Sequence, residues 1–150
     1  MDKQTALKRF TTSRKKLLKA ISCLNEADIL SRPLDGIWTC KDLLAHIHSW
    51  EMTLIEPLRV FTQTGQFPVQ VIPDHLAWND QQALLWKNRP LAVILEDLSL
   101  SHGETLALAE QMTDSQWQQV FDAPWGGQCT IADMIAGLAW HANAHIKKIK

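Results

Sequence analysis

Six histidines carry most of the chemistry available to this chain: His46, His48, His75, His102, His141 and His145. His141 and His145 are four residues apart, so on a helix they share one face, one turn from each other. Two imidazoles in that relation can chelate one metal ion. Counting about 100° per residue from Ile131, the apolar stripe of Met134, Ile135, Leu138 and Ile149 spans roughly 300° through 40°, with His145 near 320° and His141 near 280°. Two histidines on the apolar face of one helix are unfavourable unless they share a task.

A third ligand has to come from another helix. In the segment after Thr39, residues Leu43, Ile47, Trp50 and Leu54 set the core direction, and His46 sits about 80° from its centre against about 120° for His48. His46 is the better inward candidate. It lies roughly 10 Å into its helix, while His145 and His141 lie roughly 8 and 14 Å from the end of theirs, so the three share a level if the two helices are antiparallel. Three histidines with open positions make a catalytic type of site, since structural zinc is closed by four protein ligands. Against this, HxxxH is a short pattern that arises by chance, and a buried histidine can satisfy itself with local partners. His75 and His102 read as surface histidines. Glu51 is the nearest carboxylate after His46 but points about 140° away around the helix, which makes it a poor general base. Cys40 stands in the first turn, where the dipole favours a thiolate, but about 9 Å along the axis from His46 it reads as a structural thiol. No GxSxG, P-loop, HExxH or dinucleotide fingerprint occurs.

The elements that must position these residues are helices, because apolar periodicity is helical throughout and no segment alternates as a sustained strand. The first helix is expected over Lys3 to Leu24, with Leu7, Phe10, Leu17, Leu18, Ile21 and Leu24 on one side. Arg14 falls among these apolar positions and needs a partner or a route to water. After the turn-rich stretch 31–36, a second helix starts at Thr39, which suits an N-cap with Asp42 three residues on. It runs to about Phe61, with a kink or early end at Pro57. An irregular crossover follows from Gly65, with a short helix from about Leu76 to Lys87. Pro90 suits the first position of a third helix reaching Met112. Asp114 to Val120 adds one further turn, Pro124 to Gly127 forms a loop, and the last helix runs from Thr130 to the end. Four long helices make a four-helix bundle the natural architecture.

Composition narrows the class. At 150 residues the chain is expected to be one domain spanning 1–150, and 46% hydrophobic against 21% charged residues excludes a disordered chain. No apolar run approaches the ~20 residues of a membrane span, so no membrane partner is expected. The polar, basic start at Met1-Asp2-Lys3-Gln4 does not read as a secretory signal. The odd cysteine count of Cys23, Cys40 and Cys129, without CxxC spacing, points to free thiols in a reducing cytoplasm. A net charge of -1 argues against a dedicated nucleic-acid binder. Charge is uneven, however: Lys3, Lys8, Arg9, Arg14, Lys15, Lys16 and Lys19 face only Asp2 near the N-terminus. That face is either simply solvated or meets a phosphate-bearing partner. Seven tryptophans occur without a tyrosine. Trp140, near 180° from the core stripe of its helix, either packs under a loop or anchors a homodimer contact.

Three segments resemble the DinB-like superfamily. Trp38-Thr39-Cys40-Lys41-Asp42-Leu43-Leu44-Ala45-His46-Ile47 resembles its second-helix motif, and Trp140-His141-Ala142-Asn143-Ala144-His145-Ile146 its closing HxxxH motif. Trp78-Asn79 with Asn88-Arg89-Pro90-Leu91 resembles its crossover and third-helix entry. The resemblance implies an all-α, up-down-down-up four-helix bundle with a long crossover between helices two and three. It implies a metal held by His46, His141 and His145, with zinc or nickel suiting imidazole ligands. Members include transferases and isomerases that use a low-molecular-weight thiol, bacillithiol or mycothiol, and proteins described as metal-dependent hydrolases. A related DfsB-type branch generally lacks the triad. Two functions therefore stand. One is a metal-dependent enzyme that transfers a thiol to, or hydrolyses, a small electrophilic molecule. The other is a metal-free bundle that binds a small ligand or dimerises.

Overall fold

The computed structural model describes residues 1–149. In chain order the elements are α1 (Lys3–Ser22), α2 (Glu26–Ser31), β1 (Pro33–Asp35), β2 (Trp38–Thr39) and α3 (Cys40–Thr64). Then come α4 (His75–Trp86), α5 (Leu91–Gln111), α6 (Asp114–Trp117), β3 (Val120–Asp122), β4 (Gln128–Thr130) and α7 (Ile131–Ile146). The bundle is built from α1, α3, α5 and α7.

Side-chain contacts fix the helix directions. Phe10 stacks on His102 and Arg14 donates to the Leu98 carbonyl, so α1 and α5 are antiparallel. Ser101 meets Glu51 and Arg59 pairs with Glu104, so α3 and α5 run parallel. Ser13 donates to the Ala139 carbonyl and the Met1 ammonium faces Asp133, so α1 and α7 run parallel. The order is up-down-down-up, and residues 65–90, carrying α4, return the chain between the two parallel down helices. Among the described residues no helix is long and apolar enough to cross a membrane.

Both helices that carry the candidate ligands begin in the same way. The β1–β2 hairpin ends on Thr39, whose hydroxyl accepts from the Asp42 amide while Asp42 accepts from the Thr39 amide. The β3–β4 hairpin ends on Thr130, which accepts from the Asp133 amide. Each cap satisfies amides left open in the first turn, and each aspartate complements the helix dipole. Periodicity gives no sign of these short hairpins or of α2. Strands of two or three residues are too short to show an alternating pattern.

Several boundaries differ from expectation. Helix α3 continues through Pro57 to Thr64 and ends at Gly65, whose φ of 77° is the left-handed conformation that glycine adopts freely. Pro57 is buried, as are Leu54, Ile55, Leu58 and Phe61 around it, and this packing carries the helix past the missing amide. Pro90 lies one residue outside α5, as its N-cap, and α7 stops at Ile146. The core has two apolar regions. One joins Phe10, Leu54, Leu58, Trp117, Ile131 and Ile135 at one end. The other joins Leu17, Leu43, Ile47, Ile94, Leu98 and Ala142 at the opposite end.

Candidate metal centre

Antiparallel packing of α3 against α7 brings His46 to the level of His141 and His145. The Nε2 atom of His46 lies 2.9 Å from that of His141, which lies 3.1 Å from that of His145. One ligand atom from each ring falls within 4.8 Å of the others. Three imidazoles at Zn–N distances of about 2.0–2.1 Å around a tetrahedral ion would place their nitrogens roughly 3.3 Å apart. The His46–His141 and His141–His145 pairs are therefore close to the spacing of a loaded site, while the widest pair, within 4.8 Å, has to draw together around an ion. Unshielded lone pairs at this distance repel, and either a ring N–H or a cation between them relieves that repulsion.

Burial keeps the three rings uncharged. Burial pushes the His46 pKa down to about 3, with His141 and His145 opposing its charge as well. Burial first, then His145, brings His141 down to about 4. His145 is lowered by burial and by Lys148, while Asp35 opposes the shift. Neutral rings offer lone pairs, which is what a metal ligand must do. The Nδ1 atoms of His46 and His145 are buried without a hydrogen-bond partner among the described residues. Ligating imidazoles usually donate that second N–H to a carboxylate or carbonyl. Here packing holds the rings instead: Trp38 lies 4.9 Å from the His46 ring, and the three imidazoles meet edge to face.

The triad lies at a cavity of about 460 Å³ whose other walls include Trp50, Trp125, Trp140, His75 and Asn79. The Trp50 indole donates to Asn79 Oδ1 at 3.0 Å, which ties α4 to α3. Gly137 on α7 also lines the cavity, and a Cβ there would sit 2.9 Å from the Trp125 ring. The absent side chain is what lets Trp125 lie against α7. Trp125 and Gly137 carry no chemical signature in the sequence, and sequence reasoning misses them. The Gly126-Gly127 turn that presents Trp125 is legible only as a loop.

The remaining candidates separate from this site. His75 opens α4 and is exposed, as expected, yet its ring lies 5.2 Å from Trp50 and faces the cavity. His102 is not a surface residue: it is half-buried on Phe10, with a pKa brought down to about 4 by burial and Arg14. His48 is buried as well, its Nδ1 3.2 Å from Ser101 Oγ. Glu51 is fully turned away from the triad. It pairs with buried Arg14 and accepts from Ser101 Oγ at 3.0 Å, which excludes it as the base and gives Arg14 the partner it needed. Cys40 is completely buried, and burial raises its thiol to about 11, outweighing the helix dipole. Trp140 is 74% exposed, as its position opposite the core stripe required.

Fold and site together define an all-α bundle with a three-histidine cluster set in an aromatic cavity. The chain belongs to the DinB superfamily, whose family model matches residues 9–149. It is 24% identical over 144 residues to a protein of Oceanobacillus iheyensis named "Putative metal-dependent hydrolase", covering 96% of this chain and 81% of that one. Among solved structures it resembles YfiT of Bacillus subtilis, described as a probable metal-dependent hydrolase with an unusual four-helix bundle topology. That match has a TM-score of 0.75 at 21% identity over 98% of this chain and 83% of YfiT. A mycothiol-dependent maleylpyruvate isomerase, solved as a point mutant, matches with a TM-score of 0.80 at 12% identity, over 99% of this chain and 61% of that one. The colibactin self-resistance protein ClbS, solved with double-stranded DNA, matches at 0.74 and 16% identity over 99% and 94%. At these identities the solved structures establish the shared fold.

Proposed function

We propose that His46, His141 and His145 hold one divalent cation, zinc or nickel, and that the loaded site hydrolyses a small electrophilic molecule. The observation that carries this reading is the convergence of three uncharged Nε2 atoms at metal-ligand spacing on one cavity. The names of the relatives support it. A cation there supplies Lewis acidity towards a carbonyl or phosphoryl oxygen and lowers the pKa of a water in an open position.

The chain's own residues do the rest. Trp50, Trp125 and Trp140 bind the apolar part of the substrate and keep water from it. Asn79, fixed through its oxygen by the Trp50 indole, directs its amide N–H groups to a substrate oxygen. No carboxylate lines the cavity among the described residues, so proton transfer falls to His75, the titratable side chain there outside the triad. Thiol transfer is the second reading, favoured by the mycothiol-dependent isomerase of the same fold. In it the cavity takes a small thiol beside the electrophile.

The test is elemental analysis of protein purified without a metal-affinity tag, beside His46→Ala, His141→Ala and His145→Ala. About one zinc or nickel per chain is expected, lost in each variant with the helical circular dichroism intact. A chain that neither carries nor takes up either metal overturns the proposal. Hydrolysis of model esters and lactones, with and without added thiol, then separates the two reactions. Replacing His75 by Gln should lower the hydrolysis rate while leaving metal content unchanged.

A further inference from the structure

A second cavity, of about 550 Å³, lies in the groove between α1 and α7. Lys8, Arg9 and Lys16 line its α1 side with Thr5 and Thr12, the Thr5 hydroxyl donating to Asp2 at 2.8 Å. No carboxylate lines this groove, and none of the three cations forms an ion pair among the described residues. The chain has 16 acidic residues to 15 Lys and Arg, so this unrelieved charge is a matter of placement. Like charges along one helix face repel, and an anion lying among them relieves the repulsion. On the α7 side, Asn143 lines the groove, its Oδ1 buried and without a partner among the described residues.

Trp140 belongs to both cavities: its indole lines this groove and also the histidine cavity, and it is largely exposed between them. We propose that the substrate or co-substrate is a small anionic molecule that spans Trp140. Its reactive end lies over the triad and its carboxylate, phosphate or sulfonate lies among Lys8, Arg9 and Lys16. The location of the reactive end rests on the metal-site reading; the anion groove stands on its own charges. A second copy of the chain fits the groove poorly, because a two-fold contact would set these cations against themselves. Nucleic acid is the other polyanion to be distinguished, and three cations on a chain of net charge -1 favour a single small anion over it.

The test uses two fluorescent probes of one shape: 8-anilinonaphthalene-1-sulfonate and its uncharged counterpart N-phenyl-1-naphthylamine. Each is titrated into the full chain at about 20 mM and about 300 mM salt, the higher value shortening the screening length below 8 Å. The anionic probe is expected to bind roughly tenfold more tightly at low salt, the combined effect of three exposed charge contacts. The Lys8→Ala/Arg9→Ala/Lys16→Ala variant should lose that preference and keep its affinity for the neutral probe. Trp140→Ala should weaken both. A charge preference that is absent, or unchanged in the triple variant, overturns the proposal. So does a short DNA duplex that displaces the anionic probe at equal nucleotide concentration. Metal content is measured in the same samples: loss of the preference at normal metal content refutes the groove alone. Its persistence in metal-free His141→Ala shows that the groove survives failure of the metal reading.

Discussion

Metal uptake by this chain should be nearly independent of pH where ordinary histidine sites release their ion. An imidazole of pKa 6.5 is about ten to one protonated at pH 5.5, so a site of three loses roughly a thousandfold in affinity per pH unit below that pKa. Burial and mutual repulsion hold His46 near 3 and His141 near 4. Both therefore remain neutral at pH 5.5 and release no proton to an incoming ion. His145 is also lowered, by burial and Lys148. Only that ring has room to contribute, and the slope of log Kd against pH is at most one instead of three. Zinc binding measured by calorimetry between pH 7.5 and 5.5, with competition by a calibrated chromophoric chelator, gives the slope directly. The expected outcome is at most a tenfold loss below pH 6.5. A loss approaching a thousandfold would show three rings titrating as in water, and the preformed, uncharged triad would be refuted.

The same shifts set the acid stability of the metal-free protein. A histidine whose folded pKa lies below its unfolded value leaves stability untouched above pH 6.5 and costs stability as pH falls towards the folded pKa. His141, going from 6.5 to about 4, accounts for about 3 kcal/mol by pH 4, so urea midpoints should fall from pH 6.5 to 4 and fall less in His141→Ala. Glu51→Ala leaves the Arg14 guanidinium buried without its carboxylate, and equilibrium denaturation should show a loss of about 3–5 kcal/mol. Replacing both residues by apolar side chains, Arg14→Met with Glu51→Leu, should restore most of it; an equally unstable double variant would contradict the unpaired-charge argument. Gly137→Ala puts a methyl 2.9 Å from the Trp125 ring, and should cost about 1–3 kcal/mol and shift tryptophan emission as the indole moves into the cavity. Unchanged emission and stability would mean that Trp125 is not packed on α7.

Much of the candidate site can be read from the residues because its decisive relations are local. His141 and His145 share a face by helical geometry alone, and the axial level of His46 follows from rise per residue once the helix ends are placed. The starts of α3 and α7 are legible in Thr39 with Asp42 and Thr130 with Asp133, cap signals that depend only on neighbours in sequence, whereas the end of α7, from which the levels of His141 and His145 are counted, falls at Ile146, short of the expected place. Periodicity fails where its assumption of one buried face fails. Helix α3 packs against α2, α4, α5 and α7, so His48 and Glu51, both well off the apolar stripe, are as buried as His46. His102 departs from its expected place for the same reason, its cover coming from Phe10 on another helix.

Four amphipathic helices, the caps of α3 and α7, and three histidines able to meet on one level all follow from the order of residues. So does the need of Arg14 for a counter-charge, since an isolated buried guanidinium is too unfavourable to leave alone. That the partner is Glu51, 37 residues away, emerges only when α1 and α3 pack. The same packing closes the cavity with Trp125 over Gly137 and with Asn79 against Trp50, and it sets three cations of α1 beside Trp140 of α7. The physical division is one of range. Hydrogen bonding and side-chain spacing along a helix are set within a few residues, whereas distances between helices are set by how whole surfaces pack.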